Sequence, residues 1–217
     1  MDQKLYGAKP ADLGPVDISP KEMMFWMYCP IKLPDQYGET MPPNLKQFQP
    51  IVNEVFRDLQ RLAGNVSIWR DSYIYLTAKT LWVSKDNPGN RPGWHSDGFM
   101  TDDLNYIWSD RGATEFWEPE RPVLFTQDHH RSLGEMEYAA TYAPQFVRTY
   151  PDKHLLRLDQ FVIHRVAANL KPGMRTFVKV SVSKHRYDLE GNSINHAFPA
   201  WTYVPRGVER NHTTSEG

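Results

Sequence analysis

The stretch Tyr73–Val83 reads YIYLTAKTLWV and is rich in β-branched and aromatic residues. Such residues pack well on a pleated sheet, and the alternation within the segment is typical of a β-strand. The later stretch 175–183, RTFVKVSVS, has the same character. Successive side chains of a strand point to opposite faces, so Arg175, Phe177 and Lys179 share one face and the valines share the other. The two stretches predict long β-strands.

Shorter segments of strand character fill much of the remaining chain, with turn-rich sequence between them. They are residues 23–28, 94–99, 104–108, 114–117, 123–126 and 161–164. We expect Pro30 to end the first of these, because proline cannot donate to a sheet ladder. Many short strands separated by turns predict a sandwich or barrel. The fold class is therefore mainly β with supporting helices, and a double-sheet jelly roll of this kind has a mouth able to hold a metal.

One helix is expected beside the strands. Apolar residues recur at helical spacing over residues 45–62, and Gly64 is a suitable C-terminal stop. Pro50 fits the first turn of a helix. We expect this helix to pack on the outside of a sheet. Residues 1–22 contain several prolines and glycines and are expected to form an irregular arm. Residues 128–151 are expected to be irregular or partly helical. Residues 206–217 are polar and are expected to fray.

Length and composition narrow the possible functions. The 217 residues fit a single domain, 1–217, and the formal charge of −1 gives no basis for non-specific binding to nucleic acid or to a membrane surface. Cys29 is the only cysteine, so an intrachain disulfide and cysteine-based zinc sites are excluded. The N-terminus has no apolar leader, and the longest apolar run, residues 23–29, is too short to span a bilayer. We therefore expect a cytoplasmic protein.

Two histidines and one aspartate form a candidate metal-binding set. His95 and Asp97 are separated by one residue, so they point the same way on an extended strand. His164 follows the apolar run 158–163, which is predicted to be a strand, and Arg175 comes eleven residues later. Two imidazoles and a carboxylate hold non-haem ferrous iron on one face and leave the opposite face open. Arg175 would then suit an anionic co-substrate that chelates the iron.

This pattern resembles the iron(II)- and 2-oxoglutarate-dependent oxygenases, whose motif is His-x-Asp/Glu, a distal histidine and an arginine about ten residues beyond it. The resemblance covers about residues 73–183 and rests on His95, Asp97, His164 and Arg175. It implies a double-stranded β-helix, a cupin-like variant of the jelly roll. It also implies catalytic, iron-binding roles for His95, Asp97 and His164, and an ion pair between Arg175 and 2-oxoglutarate. The activity implied is a dioxygenase reaction that uses dioxygen, converts 2-oxoglutarate to succinate and CO2, and hydroxylates an unidentified substrate.

One departure from the family concerns the second polar contact to 2-oxoglutarate. Many members have Arg-x-Ser, whereas Phe177 stands at the serine position here. We expect Tyr75 or Thr77 to supply this cofactor-binding contact, with Lys79 as a further candidate. Lys179 is expected to extend along a strand edge to solvent.

Several alternatives stay open at the level of sequence. The same three ligands could serve a cupin-like metalloenzyme that uses no 2-oxoglutarate, with zinc, manganese or iron, or they could be structural residues of a jelly-roll binding module. The aromatic-rich segment 111–150 could bind substrate at the mouth or fill the core of a long loop. Nothing in the sequence names the substrate, which is a small molecule or a macromolecule.

Overall fold

The computed structural model describes residues 2–20 and 22–205, so the tail predicted at 206–217 lies outside the described residues. Twelve strands and three α-helices make up this part of the chain. The strands are β1 Gln3–Tyr6, β2 Ala11–Pro15, β3 Met24–Lys32, β4 Tyr73–Val83, β5 His95–Ser96, β6 Leu104–Ser109, β7 Glu115–Trp117, β8 Val123–Thr126, β9 Val147–Thr149, β10 His154–Leu158, β11 Ile163–Arg165 and β12 Gly173–Ser183. The helices are α1 Gln49–Ala63, α2 Ser67–Arg70 and α3 His129–Tyr142, and a 3-10 helix, Pro43–Phe48, precedes α1.

Two antiparallel sheets form the body of the protein. The larger has the order β2-β10-β6-β12-β4-β3 and the smaller the order β5-β11-β7-β9, while β1 and β8 form a separate ribbon. The predicted mainly β class with jelly-roll architecture is confirmed, and within the described residues the sheets do not join into a closed barrel. The two longest strands, β4 and β12, are neighbours and pair along their whole length, with Arg175 opposite Leu81 and Lys179 opposite Thr77.

An apolar layer lies between the two sheets. Phe116 of the smaller sheet is fully buried, and it belongs to one cluster with Ile107, Leu156 and Leu158 of the larger sheet. Ile107, Leu156 and Leu158 share the inner face of the larger sheet with Lys179, because Lys179 and Leu156 both lie directly opposite Ile107. The inner face thus combines apolar side chains with the charged side chains of Arg175 and Lys179.

The outer face of the larger sheet is covered by α1, as the sequence predicts. Ile51, Val55 and Leu59 of the helix are fully buried in a cluster that also contains the valines of β12. The helix ends at Gly64, which adopts a left-handed conformation with φ of 67°. A glycine tolerates this conformation without steric cost, which explains the clean stop.

Two expectations about the first thirty residues were wrong. The N-terminal segment is not irregular throughout, since β1 pairs with β8 and β2 extends the larger sheet beside β10. Strand β3 also continues through Pro30 to Lys32. It can do so because β3 is an edge strand of the larger sheet. An edge strand has a neighbour on one side only, so a proline, which has no backbone N–H, can be accommodated without loss of a hydrogen bond between strands.

A buried carboxylate joins α1 to the sheet and gives the first prediction. Asp58 is 4% exposed and accepts hydrogen bonds from the Tyr106 hydroxyl at 2.9 Å and from Arg157 Nη1 at 2.6 Å. Replacing Asp58 with alanine leaves a largely buried guanidinium unpaired, and we expect a loss of about 3 kcal/mol in the free energy of unfolding. Urea denaturation measures this loss. The matched change Glu54→Ala, which removes a surface pair with Arg57 on the same helix, should cost less than about 1 kcal/mol; equal losses would contradict the assignment.

None of the described helices combines the length and the apolar character that crossing a bilayer requires.

Candidate metal centre

The three predicted ligands converge at one end of the smaller sheet. Strand β5 pairs antiparallel with β11, and His95 lies directly opposite His164, so the two rings share a face with centroids 4.6 Å apart. Asp97 follows two residues after His95, and its Oδ2 lies 3.8 Å from His164 Nε2. One donor atom from each residue lies within 4.8 Å of the others. The cluster is compatible with a single metal ion.

Backbone contacts select the tautomer of both imidazoles. Nδ1 of His95 donates to the carbonyl of Gly93 at 2.9 Å, and Nδ1 of His164 donates to the carbonyl of Val162 at 3.2 Å. A carbonyl only accepts, so the proton resides on Nδ1 and the Nε2 lone pair is available to a metal. Gly93 has φ of 83°, a left-handed conformation that lets its carbonyl turn back to the His95 ring.

Burial keeps both imidazoles neutral. Burial and the neighbouring His164 lower the pKa of His95 to about 4. Burial also lowers the pKa of His164, although the nearby Asp97 carboxylate acts in the opposite direction. Metals bind the neutral form of imidazole, so the two rings are prepared as ligands.

Asp97 is charged and paired with a lysine. Burial acts to raise the pKa of this carboxyl, but Lys179, His164 and His95 together hold it well below its usual range. Lys179 Nζ lies 2.9 Å from Asp97 Oδ2. The expectation that Lys179 reaches solvent was therefore wrong, since the residue is 8% exposed. The physical reason is that β12 lies between β4 and β6 and is not an edge strand.

A tyrosine on an irregular piece of backbone completes this group. The Tyr28 hydroxyl accepts from Lys179 Nζ at 2.9 Å. Tyr28 has φ of 46°, and its N–H donates to Thr77 Oγ1 at 2.9 Å beside a bulge in the pairing of β3 with β4. A left-handed conformation at a residue other than glycine costs about 1–3 kcal/mol and is typical of functional sites. No motif in the sequence indicated a role for Tyr28.

Arg175 is buried with part of its hydrogen-bonding capacity unused. The side chain is 2% exposed, and Nε donates to the carbonyl of Arg111 at 2.9 Å. Nη2 is buried without a hydrogen-bond partner, and among the described residues no carboxylate forms an ion pair with this guanidinium. Burial lowers the pKa of Arg175 to about 10, against the opposing influence of Asp110 and Asp152. A buried guanidinium in this state is suited to an anionic ligand.

The predicted partners of Arg175 lie at different distances along the sheet. Tyr75 is opposite Ser181 and Thr77 is opposite Lys179, whereas Lys79 is opposite Phe177, two residues from Arg175. At about 3.3 Å per residue, Tyr75 lies about 20 Å along the sheet from the Arg175 position. Its hydroxyl bonds the carbonyl of His185 and the N–H of Tyr187. The structure thus brings Lys79 to Arg175, and both line one small cavity; it does not bring Tyr75 there.

The aromatic-rich segment 111–150 contains both packed and exposed side chains. Tyr150 packs edge-on against Phe116, and Phe146 packs against a cluster on the smaller sheet. Tyr138 and Tyr142 of α3 are exposed and contact each other, with ring centroids 4.3 Å apart. Part of the segment therefore fills a core, and its role toward a substrate stays a hypothesis.

No family model matches the chain, and no curated protein matches its sequence.

Proposed function

We propose that the protein is a non-haem iron(II)- and 2-oxoglutarate-dependent dioxygenase that hydroxylates a substrate not yet identified. The observation that carries the proposal is the combination of one metal-ligand cluster with one buried, incompletely paired guanidinium. His95, Asp97 and His164 supply the cluster, and Arg175 supplies the guanidinium. Each feature alone suits many proteins, whereas the combination of such a metal site with a basic site for a dicarboxylate is characteristic of this class of oxygenase.

The donor set fits ferrous iron. Two neutral imidazoles and one carboxylate are the ligands of the facial arrangement that leaves positions for further ligands. When bound, the iron would supply the coordination positions for 2-oxoglutarate and dioxygen and the redox chemistry of the oxidation. The presence of Asp97, which halogenating members of the family lack, favours hydroxylation.

The residues of the chain would bind and orient the co-substrate. Arg175 lies on the same face of β12 as Lys179, four residues away, which corresponds to about 13 Å along the strand. Lys179 contacts Asp97, so this face of β12 connects the metal cluster with the guanidinium. Arg175 would pair with the carboxylate of 2-oxoglutarate that is remote from the iron, and its neighbours Leu81 and Phe177 on the same face of the sheet would limit the access of water to the ion pair.

Anaerobic addition of ferrous iron and then 2-oxoglutarate to the metal-free protein tests this proposal. We expect a visible charge-transfer band that requires both additions. Metal binding without a band would instead support a cupin-like metalloenzyme without an oxo-acid co-substrate. A protein that binds no metal would support a jelly-roll binding module and would overturn the oxygenase assignment.

A second prediction concerns the polar partner of Arg175. Because Lys79 lines the cavity with Arg175, we expect Lys79→Met to raise the 2-oxoglutarate concentration needed for half-maximal band formation about tenfold, which corresponds to about 1.4 kcal/mol. Tyr75→Phe should leave that concentration unchanged, because Tyr75 bonds elsewhere. If Tyr75→Phe or Thr77→Val raised this concentration more than Lys79→Met does, the result would support Tyr75 or Thr77 as the second polar contact to 2-oxoglutarate, as predicted from the sequence.

A further inference from the structure

A buried ammonium lies against the carboxylate of the candidate metal centre. Lys179 Nζ donates to Asp97 Oδ2 at 2.9 Å and to the Tyr28 hydroxyl at 2.9 Å. Oδ2 is also the oxygen that lies 3.8 Å from His164 Nε2. The ammonium and an ion held by the histidines would therefore act on the same oxygen of Asp97.

We propose that Lys179 is a positioning residue that orients Asp97 and weakens the binding of divalent cations at this centre. The inference rests on the proposed function, because it concerns the same metal ligands. A positive charge within a few ångströms of a divalent cation repels it strongly where burial reduces solvent screening. The hydrogen bond also holds one oxygen of the carboxylate in a fixed direction. Lys179 thus lowers the affinity of the centre for a divalent cation and, at the same time, holds the carboxylate of Asp97 in one orientation.

The backbone around Tyr28 fixes the ammonium from the opposite side. The pairing of β3 with β4 shifts register between Trp26 and Cys29, and bulges of this kind change the direction of a side chain. The Tyr28 ring lies 4.8 Å from Lys179 Nζ, and its hydroxyl accepts from the same ammonium. With Tyr28 and Asp97 on either side, the ammonium is held in the site and does not swing toward solvent.

A purely structural role for Lys179 makes the opposite prediction. If the lysine only kept Asp97 in place, its loss would disorder one of three ligands and weaken metal binding. If the charge of the lysine opposes the metal, its loss strengthens metal binding. The sign of the change in metal affinity therefore separates the two roles.

Titration of the metal-free protein with Co²⁺, followed by visible absorption, measures that sign. We expect Lys179→Met and Lys179→Gln to bind Co²⁺ about tenfold more tightly than the wild type, with a changed absorption spectrum because Asp97 is reoriented. Lys179→Arg retains the charge and should bind as weakly as the wild type. Lys153→Met removes a lysine from an exposed pair with Asp17 and should leave Co²⁺ affinity unchanged.

Thermal unfolding of each metal-free variant confirms that it is folded, and Lys179→Gln retains a polar group if Lys179→Met fails to fold. Equal or weaker Co²⁺ binding by a folded neutral variant overturns the inference while leaving the metal centre intact. A wild-type protein that binds no Co²⁺ overturns the metal centre itself, and the inference with it.

Discussion

Replacing Asp97 with alanine is expected to abolish metal-dependent turnover of 2-oxoglutarate. Asp97 provides the carboxylate of a three-residue cluster whose donor atoms lie within 4.8 Å of one another. Loss of an outer-shell partner typically costs 10–100-fold in metal affinity, so loss of a ligand should cost more than about 100-fold. The alanine variant also leaves the buried Lys179 without its carboxylate. Titration with Fe²⁺ under anaerobic conditions, together with succinate formation in air, measures both effects.

An exposed aspartate close in sequence provides the control. Asp102 lies on the surface, and Asp102→Ala should bind Fe²⁺ and form succinate as the wild type does. Asp97→Asn is a useful companion, because it keeps the size of the side chain while removing its charge. Wild-type metal affinity in Asp97→Ala would show that Asp97 is not a ligand.

Replacing Arg175 with alanine is expected to raise the 2-oxoglutarate requirement steeply while leaving Fe²⁺ binding intact. The guanidinium is 2% exposed and lacks a partner at Nη2, so an anion bound there would form a largely desolvated charge pair. Truncating one member of such a pair costs about 2–5 kcal/mol, which corresponds to roughly a 30-fold to 5,000-fold higher concentration for half-saturation. The charge-transfer band, titrated with 2-oxoglutarate, gives the value directly.

Two variants sharpen this measurement. Arg175→Lys keeps the positive charge but loses the planar guanidinium, so it should bind 2-oxoglutarate more tightly than Arg175→Ala and less tightly than the wild type. Arg121→Ala removes an exposed arginine and should leave the requirement unchanged. If Arg175→Ala also bound 2-oxoglutarate normally, the co-substrate role would move to another basic residue, with Lys79 or Lys179 as the next candidates.

Local sequence pattern predicted the main helix and several strands, whereas β9 and β10 were not predicted, residues 159–162 of the run 158–163 lie outside any strand, and the strand expected over residues 94–99 is limited to β5. Strands β6, β7 and β8 lie where alternation and β-branched residues indicated them, and α1 ends at Gly64 as expected. These elements follow from local periodicity and from the conformational preferences of single residues. The strands of the N-terminal segment were missed because β1 and β2 are short and polar, and their stability comes from pairing with β8 and β10.

The burial of Lys179 depends on the strands that flank β12, and the sequence does not specify which strands these are. Alternation along residues 175–183 correctly put Lys179 on the same face as Arg175, and this was the available signal. Whether a lysine on that face reaches solvent depends on the strands beside it, and here β4 and β6 flank it on both sides. The contact with Tyr28 depends on a bulge with a left-handed residue, which no local pattern indicated.

The sequence by itself determined the mainly β class, the outer helix and the residues that can bind a metal, because these depend on local periodicity and on the chemistry of each side chain. Only the tertiary structure decided that His95 lies opposite His164, that Lys179 pairs with Asp97, and that Lys79 rather than Tyr75 lines a cavity with Arg175. Those relations are set by strand order and register. A shift of one residue in pairing reverses the face of every side chain, so such relations emerge only when the whole sheet is assembled.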